Sequence, residues 1–182
     1  DGKNIEDLGL AIFYNDKYIG RISGVDTICH NILTNNLESA TISLTSPFNK
    51  DNVLDAKISL NKNTGISTVY DNTSQVPNIT CKIYLDVKIL SAAKNYNFTN
   101  ENDLIILETA ISEKVKEYCY NYLNKISKDY NSDVIGFYGY LKRNYFTEEN
   151  FKDINWSEKF KDSKFNITID VDLSSNYLFP RM

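Results

Sequence analysis

Residues 81–89 read CKIYLDVKI, and their side chains alternate between apolar and polar without a break in phase. This period of two predicts a long β-strand with one buried face. Residues 100–128 change to apolar spacings of three and four, which is typical of a long amphipathic helix whose other face, including Lys125, lies in water. The apolar positions of this helix are Leu104, Leu107, Ile111, Val115, Tyr118, Tyr122 and Ile126. Because such a strand and such a helix each need a covering layer, the stretch predicts a sheet covered by helices.

Further elements surround this stretch. The apolar patterns predict a hairpin at residues 9–22 turning at 15–17, a short helix at 24–33, strands at 40–45 and 56–60, an extension of that strand at 66–70 beyond Asn63-Thr64-Gly65, and a last strand at 165–173. Asp133 is predicted to cap a second helix whose shared apolar face comprises Val134, Phe137, Leu141 and Tyr145. The predicted class is α+β, with a mostly antiparallel or mixed sheet and the two later helices packed on one of its faces.

Length, composition and charge limit the classes of protein to which this chain can belong. The chain has 182 residues, of which 42% are hydrophobic and 24% charged, and this predicts one globular domain over residues 1–182. Its longest apolar run, Leu8–Tyr14, is much shorter than the roughly 20 residues of a membrane-spanning helix. A net charge of −4 has the wrong sign for binding a phosphate backbone, so nucleic acid is not an expected partner. Because the chain starts at Asp1 instead of Met, we expect a fragment of a longer protein.

Candidate catalytic and metal-binding residues are few. Cys29 neighbours His30, the only histidine, but adjacent side chains on a helix point about 100° apart and cannot pair as nucleophile and base. The three cysteines lack a Cys-x-x-Cys spacing, so no metal site is predicted, and Cys81 and Cys119 are expected to be buried as small apolar side chains. The sequence therefore predicts no catalytic, cofactor-binding or metal-binding residue.

Two acidic pairs also receive a structural interpretation. Asp170 and Asp172 fall on the solvent side of the last predicted strand, and Glu148 and Glu149 lie outside any calcium-loop pattern. The chain contains no Gly-rich phosphate loop, Walker pattern or Gly-x-Ser-x-Gly elbow. An enzyme is accordingly the least favoured class.

Residues 137–145 read FYGYLKRNY and mix aromatic with basic side chains, as a stacking platform for single-stranded nucleic acid or a sugar would. Helical spacing instead turns three of them toward the core, namely Phe137, Leu141 and Tyr145. Tyr138 and Tyr140 remain as candidate surface contacts. Core packing is the favoured interpretation, and a small-molecule or glycan-binding module is the alternative.

A family resemblance adds to this interpretation. The stretch DVIGF (133–137), followed by Leu141, Arg143 and Tyr145 and then by NWSEKF (155–160) before a terminal strand, resembles the C-terminal domain of the C subunit of bacterial spore germinant receptors. The opening GLAIF (9–13) is similar to the first hairpin of that domain, and the likeness runs from about Leu8 to Leu173. The motif residues, for which a structural role is expected, are Asp133, Gly136, Phe137, Arg143, Tyr145 and Trp156.

The sequence departs from the family pattern at three places. Tyr138 stands where the family usually has glycine, Phe146 where it usually has proline, and Ser174-Ser175-Asn176 where an Arg-Thr-Gly-like ending is common. The first change predicts a different local contact near the second helix, and the last leaves a role for the C-terminal tail in doubt.

The resemblance implies a lipoprotein, of clostridial source, on the outer face of the spore inner membrane. It implies two membrane-embedded partner subunits in a nutrient receptor, a need for this subunit in receptor assembly and germination, no enzymatic activity and no cofactor. The family's lipid-carrying cysteine would precede Asp1. Trp156, in the matching Trp-x-Glu-x-Phe stretch, is expected to be a core anchor whose replacement by alanine costs about 3 to 5 kcal/mol.

Overall fold

The computed structural model describes residues 9–14, 16–91, 100–144 and 154–173. The strands are β1 (Leu10–Tyr14), β2 (Lys17–Ile22), β3 (Ala40–Thr45), β4 (Val53–Asp71), β5 (Val76–Ser91) and β6 (Lys164–Asp172). The helices are α1 (Val25–Leu33), α2 (Glu101–Asn124), α3 (Phe137–Lys142) and α4 (Trp156–Lys159). A π-helical turn (Lys125–Asp129) extends α2, and a 3-10 turn (Phe160–Asp162) follows α4.

The main sheet has four strands in the order β3-β4-β5-β6. The first three are antiparallel, whereas β6 runs parallel to β5. Strands β1 and β2 form a separate antiparallel hairpin with an irregular register between Ile12 and Phe13. The predicted α+β class with a mixed sheet is confirmed.

Helix α2 supplies the helical half of the core, as its spacing predicts. Its positions Leu107, Ile111, Val115 and Tyr122 are fully buried against the sheet and α1. At its start the side chain of Asn100 accepts a hydrogen bond from the Asn102 backbone N–H at 3.1 Å, which satisfies one of the unpaired donors of a helix N-terminus. The periodicity therefore predicted both the extent and the buried face of this helix.

Lys125 differs from the sequence prediction. Its side chain is partly buried, and its ammonium lies 2.6 Å from the Asp26 carboxylate in the first turn of α1. This ion pair raises the pKa of Lys125. The end of α2 is therefore joined to the start of α1, a long-range contact that helix periodicity alone does not report.

Strand β4 includes the predicted extension at residues 66–70 and runs without interruption from Val53 to Asp71. Asn63-Thr64-Gly65 does not turn the chain, because the pairing with β5 continues past it and the irregular register between Leu60 and Gly65 absorbs these residues. The chain turns only after Asp71, whose carboxylate accepts hydrogen bonds from the backbone N–H groups of Thr73 and Ser74. Strands β4 and β5 therefore form one long hairpin.

The second predicted helix also begins later than expected. Helix α3 starts at Phe137, after Gly136 with a φ of 84°, so Val134 lies outside the helix. Asp133 still caps it, but from four residues upstream through its carboxylate. Tyr145, which was expected on the buried face, lies outside the described residues.

A close approach between the hairpin and the end of α2 yields a test of packing. A Cβ added at Gly20 would lie 2.5 Å from the ring of Tyr130, whose hydroxyl donates to the Arg21 carbonyl at 3.2 Å. We expect Gly20→Ala to lower the free energy of unfolding by about 1 to 2 kcal/mol, because the ring must move and lose that bond. Gly139→Ala is the matched control, since its Cβ meets nothing within 4 Å. It should be neutral or stabilising in urea unfolding, and equal effects of the two substitutions would contradict the expectation.

Candidate functional site

A shallow cleft of about 530 Å³ lies between the β1–β2 hairpin, the segment that leads into α3, and α4. Its aromatic walls are formed by Phe13, Tyr138, Trp156 and Phe160. Asp133 and Gly136 also line it, so three of the predicted motif residues, with Trp156, meet here. This is the part of the described structure where the sequence motif and the geometry coincide.

Asp133 accepts four hydrogen bonds from its own chain. One carboxylate oxygen accepts from the backbone N–H groups of Gly136 and Phe137, both at 2.9 Å. The other accepts from the Tyr138 N–H at 2.8 Å and from the indole Nε1–H of Trp156 at 3.0 Å. Burial raises the pKa of Asp133, while the four donors act in the opposite direction by favouring the carboxylate. This single side chain therefore fixes the start of α3 and joins it to α4.

Trp156 packs between two other aromatic rings. Its ring centre lies 5.6 Å from that of Tyr138 and 5.6 Å from that of Phe160. Phe160 is fully buried and contacts the equally buried Phe137, with ring centres 6.3 Å apart. Trp156, predicted to be a core anchor, is half-buried and packs against the edge of the core. The indole covers the edge of the core while its N–H points to Asp133.

A further polar contact joins two residues that line the cleft. The side-chain amide of Asn131 donates to the Ser157 carbonyl at 2.8 Å, so the end of the long helical segment is joined to α4. Asn131 has a φ of 43°, a left-handed conformation that asparagine tolerates better than most residues. Both sides of the cleft are therefore tied by bonds within the chain.

The candidate surface contacts Tyr138 and Tyr140 are both half-buried. The ammonium of Lys142 lies 4.6 Å from the ring centre of Tyr138, and the guanidinium carbon of Arg143 lies 4.7 Å from that of Tyr140. Cation–π contacts of this kind use ring faces that a stacked sugar would need. Arg143 is exposed and does not line the cleft. The geometry does not favour a glycan or small-molecule platform.

Cys29 and His30 take separate positions, as the helix geometry predicts. Cys29 is buried in the core, whereas Nδ1 of His30 lies 2.9 Å from the Tyr122 hydroxyl. Burial lowers the pKa of His30 and raises that of the Cys81 thiol to about 12. Cys81 and Cys119 are buried free thiols, as expected from their apolar neighbours. The thiolate form that nucleophilic chemistry needs is thus disfavoured at Cys81.

Two features of the described residues concern metal binding and helices that could cross a membrane. Across residues 9–14, 16–91, 100–144 and 154–173, no group of three or more His, Cys, Asp or Glu side chains could hold a metal ion. Within the same ranges, each helix is too short or too polar to cross a membrane.

The bond between Trp156 and Asp133 is the feature that the sequence did not predict. Asp133 was interpreted as a helix cap and Trp156 as an apolar anchor, and both residues were placed in the resembling motif. The available signal was weak: a buried tryptophan requires an acceptor for its indole N–H, and Asp133 is an acidic residue in the same motif. The separation of 23 positions along the chain conceals the pairing.

Comparison with known proteins identifies the family. The sequence matches the model of the spore germination B3/GerAC-like C-terminal family over residues 8–176. No curated protein matches the sequence. The fold is similar to a crystal structure of the GerBC protein, with a TM-score of 0.67 and 16% sequence identity over 90% of this chain and 50% of that chain. This chain thus spans about half the length of GerBC, and the likeness at this identity concerns the fold. By the match over residues 8–176, the chain belongs to the spore germination B3/GerAC-like C-terminal family.

Proposed function

We propose that this domain is a non-catalytic part of a nutrient germinant receptor, belonging to its C subunit and required for receptor assembly and spore germination. The observation that carries the proposal is the family match over residues 8–176, a span that includes the Asp133–Trp156 cleft. Membership of this family supports a role in germination. The contribution of the domain is then to maintain a stable folded surface for the other receptor subunits.

The geometry supports a structural role for the motif residues. A catalytic carboxylate must be able to reach substrate or exchange a proton with it, whereas Asp133 is occupied by four N–H donors of its own chain. The imidazole of His30 is similarly engaged with Tyr122 in the packing of α1 against α2. We therefore assign Asp133, Gly136, Phe137 and Trp156 to the integrity of the fold.

The proposed location and partners follow from the family. We place the domain outside the cytoplasm, on the outer face of the spore inner membrane, as part of a longer lipid-anchored protein. Its proposed partners are the membrane-embedded subunits of the same receptor. A chain that corresponds to about half of GerBC is consistent with further segments in the complete protein.

The proposal is tested in spores that carry the full-length gene. Deletion of the region encoding residues 8–176 should abolish germination in the nutrient that this receptor recognises, while germination through other receptors continues. Immunoblots of the membrane fraction should show reduced amounts of the partner subunits. Normal germination of the deletion strain, with normal amounts of the other subunits, would contradict the proposal.

Ligand titration distinguishes this proposal from the binding-module alternative. The 182-residue chain should show no stoichiometric complex with free amino acids or sugars tighter than about 10 μM, which corresponds to roughly −7 kcal/mol. Isothermal titration calorimetry measures this directly. A tighter complex that is lost on Tyr138→Ala would instead support a small-molecule site at the cleft.

A further inference from the structure

The two edge strands of the main sheet differ in whether side chains bond to their outer backbone groups. Strand β6 forms one edge, and α2 contacts it and supplies side-chain partners to three backbone groups in and just after this strand. The three bonds join the Ser112 hydroxyl to the Ile169 carbonyl (2.9 Å), the Tyr120 hydroxyl to the Phe165 carbonyl (3.0 Å), and the Leu173 N–H to the Glu108 carboxylate (3.3 Å). Residues 165, 169 and 173 are four positions apart, so their backbone groups point to the same side of the strand. This edge is closed to a further strand.

The part of β4 that extends beyond β3 is closed in the same way. The Thr64 N–H donates to the Asn35 side chain at 2.6 Å, and the Asn144 side chain donates to the Thr68 carbonyl at 2.6 Å. The Thr64 hydroxyl donates in turn to the carbonyl of Ile32 at 3.0 Å. Side chains from the end of α1 and from the end of α3 thus occupy this length of edge.

Strand β3 (Ala40–Thr45) is the exception. It pairs with β4 on one side, and no described residue bonds to the backbone on its other side. Because the N–H and C=O groups of a strand alternate in direction, about half of those in β3 face outward. The strand ATISLT has no charge, proline, glycine or bulge, which are the features that usually protect an edge strand from pairing. Among the described residues, β3 is therefore a regular edge strand without a partner on its outer side.

We propose that β3 pairs antiparallel with β3 of a second copy of this chain, about a two-fold axis at Ser43. The sequence of the strand is symmetric about that residue: Ile42 would face Leu44 of the other copy, and Thr41 would face Thr45. Ile42 and Leu44 are buried on the inner face of the sheet, whereas Ser43 is exposed on the outer face. This register therefore keeps apolar with apolar and hydroxyl with hydroxyl side chains, which a shift by one residue would not.

Two further observations are consistent with β3 of a second copy pairing at this edge. A cleft of about 410 Å³ lies between β3 and α2, lined by Leu44, Thr45, Ala110, Glu113, Lys114 and Glu117, and it leaves space beside β3 for an added strand. The absence of charge from β3 means that two copies bring no like charges into opposition. A six-residue strand buries little area, so we expect a weak dimer with a dissociation constant of about 10 μM to 1 mM.

Sedimentation equilibrium of the 182-residue chain tests the proposal. The average mass should rise from 20.9 kDa toward twice that value over this concentration range. Ser43→Lys should raise the dissociation constant at least about fivefold, because it places two ammonium groups opposite each other at the axis. The variant should fold, because Ser43 is exposed on the outer face of the sheet. Thr168→Lys, on the outer face of the closed β6 edge, is the matched control and should dimerise as the wild type does.

Cross-linking supplies a second measurement. The native cysteines are buried, so Ser43→Cys adds an exposed thiol, and two such thiols at the axis should form an intermolecular disulfide when oxidised glutathione accepts their electrons and protons by thiol exchange. Thr168→Cys should stay monomeric under the same conditions. A wild-type chain that remains monomeric at about 1 mM, or a dimer that Ser43→Lys and Ser43→Cys leave unaffected, would overturn the proposal.

Discussion

Replacement of Asp133 by alanine is expected to lower the free energy of unfolding by about 3 to 4 kcal/mol. The substitution removes the acceptor for three backbone N–H groups and for the indole N–H of Trp156. Loss of a helix cap alone costs about 0.5 to 2 kcal/mol, and a donor left unsatisfied in a partly buried site adds about 1 to 3 kcal/mol. Water can replace some of these bonds because the site borders an open cleft, so the total stays below their sum.

Urea unfolding followed by far-ultraviolet circular dichroism measures this effect. Asp133→Asn is the informative companion, because its amide keeps one acceptor oxygen and should cost about half as much. Asp170→Ala is the matched control: it removes an exposed carboxylate from the outer face of β6 and should change stability by less than about 0.5 kcal/mol. A transition for Asp133→Ala within that same margin of the wild type would show that Asp133 does not hold the start of α3.

The elements with a long uninterrupted period were predictable from the sequence. The alternation at residues 81–89 and the helical spacing at 100–128 correspond to β5 and to α2 with its π-helical turn. In both segments local periodicity and burial agree, because each element buries one complete face against the same core. The α+β class followed from these two elements.

Other features depend on contacts that are remote in sequence. Asn63-Thr64-Gly65 has the composition of a turn, but pairing with β5 keeps the chain extended there. The parallel placement of β6 beside β5, and the ion pair of Lys125 with Asp26, likewise join segments far apart in the chain. The pattern of apolar and polar residues along the sequence carries no information on such pairings. It therefore predicted the strands and helices but not the strand order.

The candidate site was predicted in part. The family resemblance selected Asp133, Gly136, Phe137 and Trp156, which the structure brings together around one cleft or in the core beneath it. It also selected Arg143, which lies over the ring of Tyr140 instead. Helical spacing alone cannot tell which motif residues meet at the cleft and which, like Arg143, do not. The direction of α3 depends on the hydrogen bonds that Asp133 accepts from its first turn.

Trp156→Ala is expected to destabilise the chain by about 3 kcal/mol, at the lower limit of the range for a buried tryptophan. The indole is only half-buried, so less apolar surface is lost than at a fully inward position. Removal of the indole nevertheless ends two ring contacts, with Tyr138 and with Phe160. It also leaves one carboxylate oxygen of Asp133 with a single hydrogen-bond donor. The packing loss is therefore the larger contribution.

Trp156→Phe separates the two contributions of this side chain. A phenyl ring keeps contact with Phe160 but has no N–H, so it should cost about 1 to 2 kcal/mol through the lost bond to Asp133. If both variants were equally destabilised, the hydrogen bond and not ring packing would hold α4 in place. If Trp156→Ala unfolded within 1 kcal/mol of the wild type yet abolished the nutrient response of spores with normal protein levels, Trp156 would act as a contact residue at the cleft. Loss of stability together with loss of the protein from spores is the result that a fold-holding role requires.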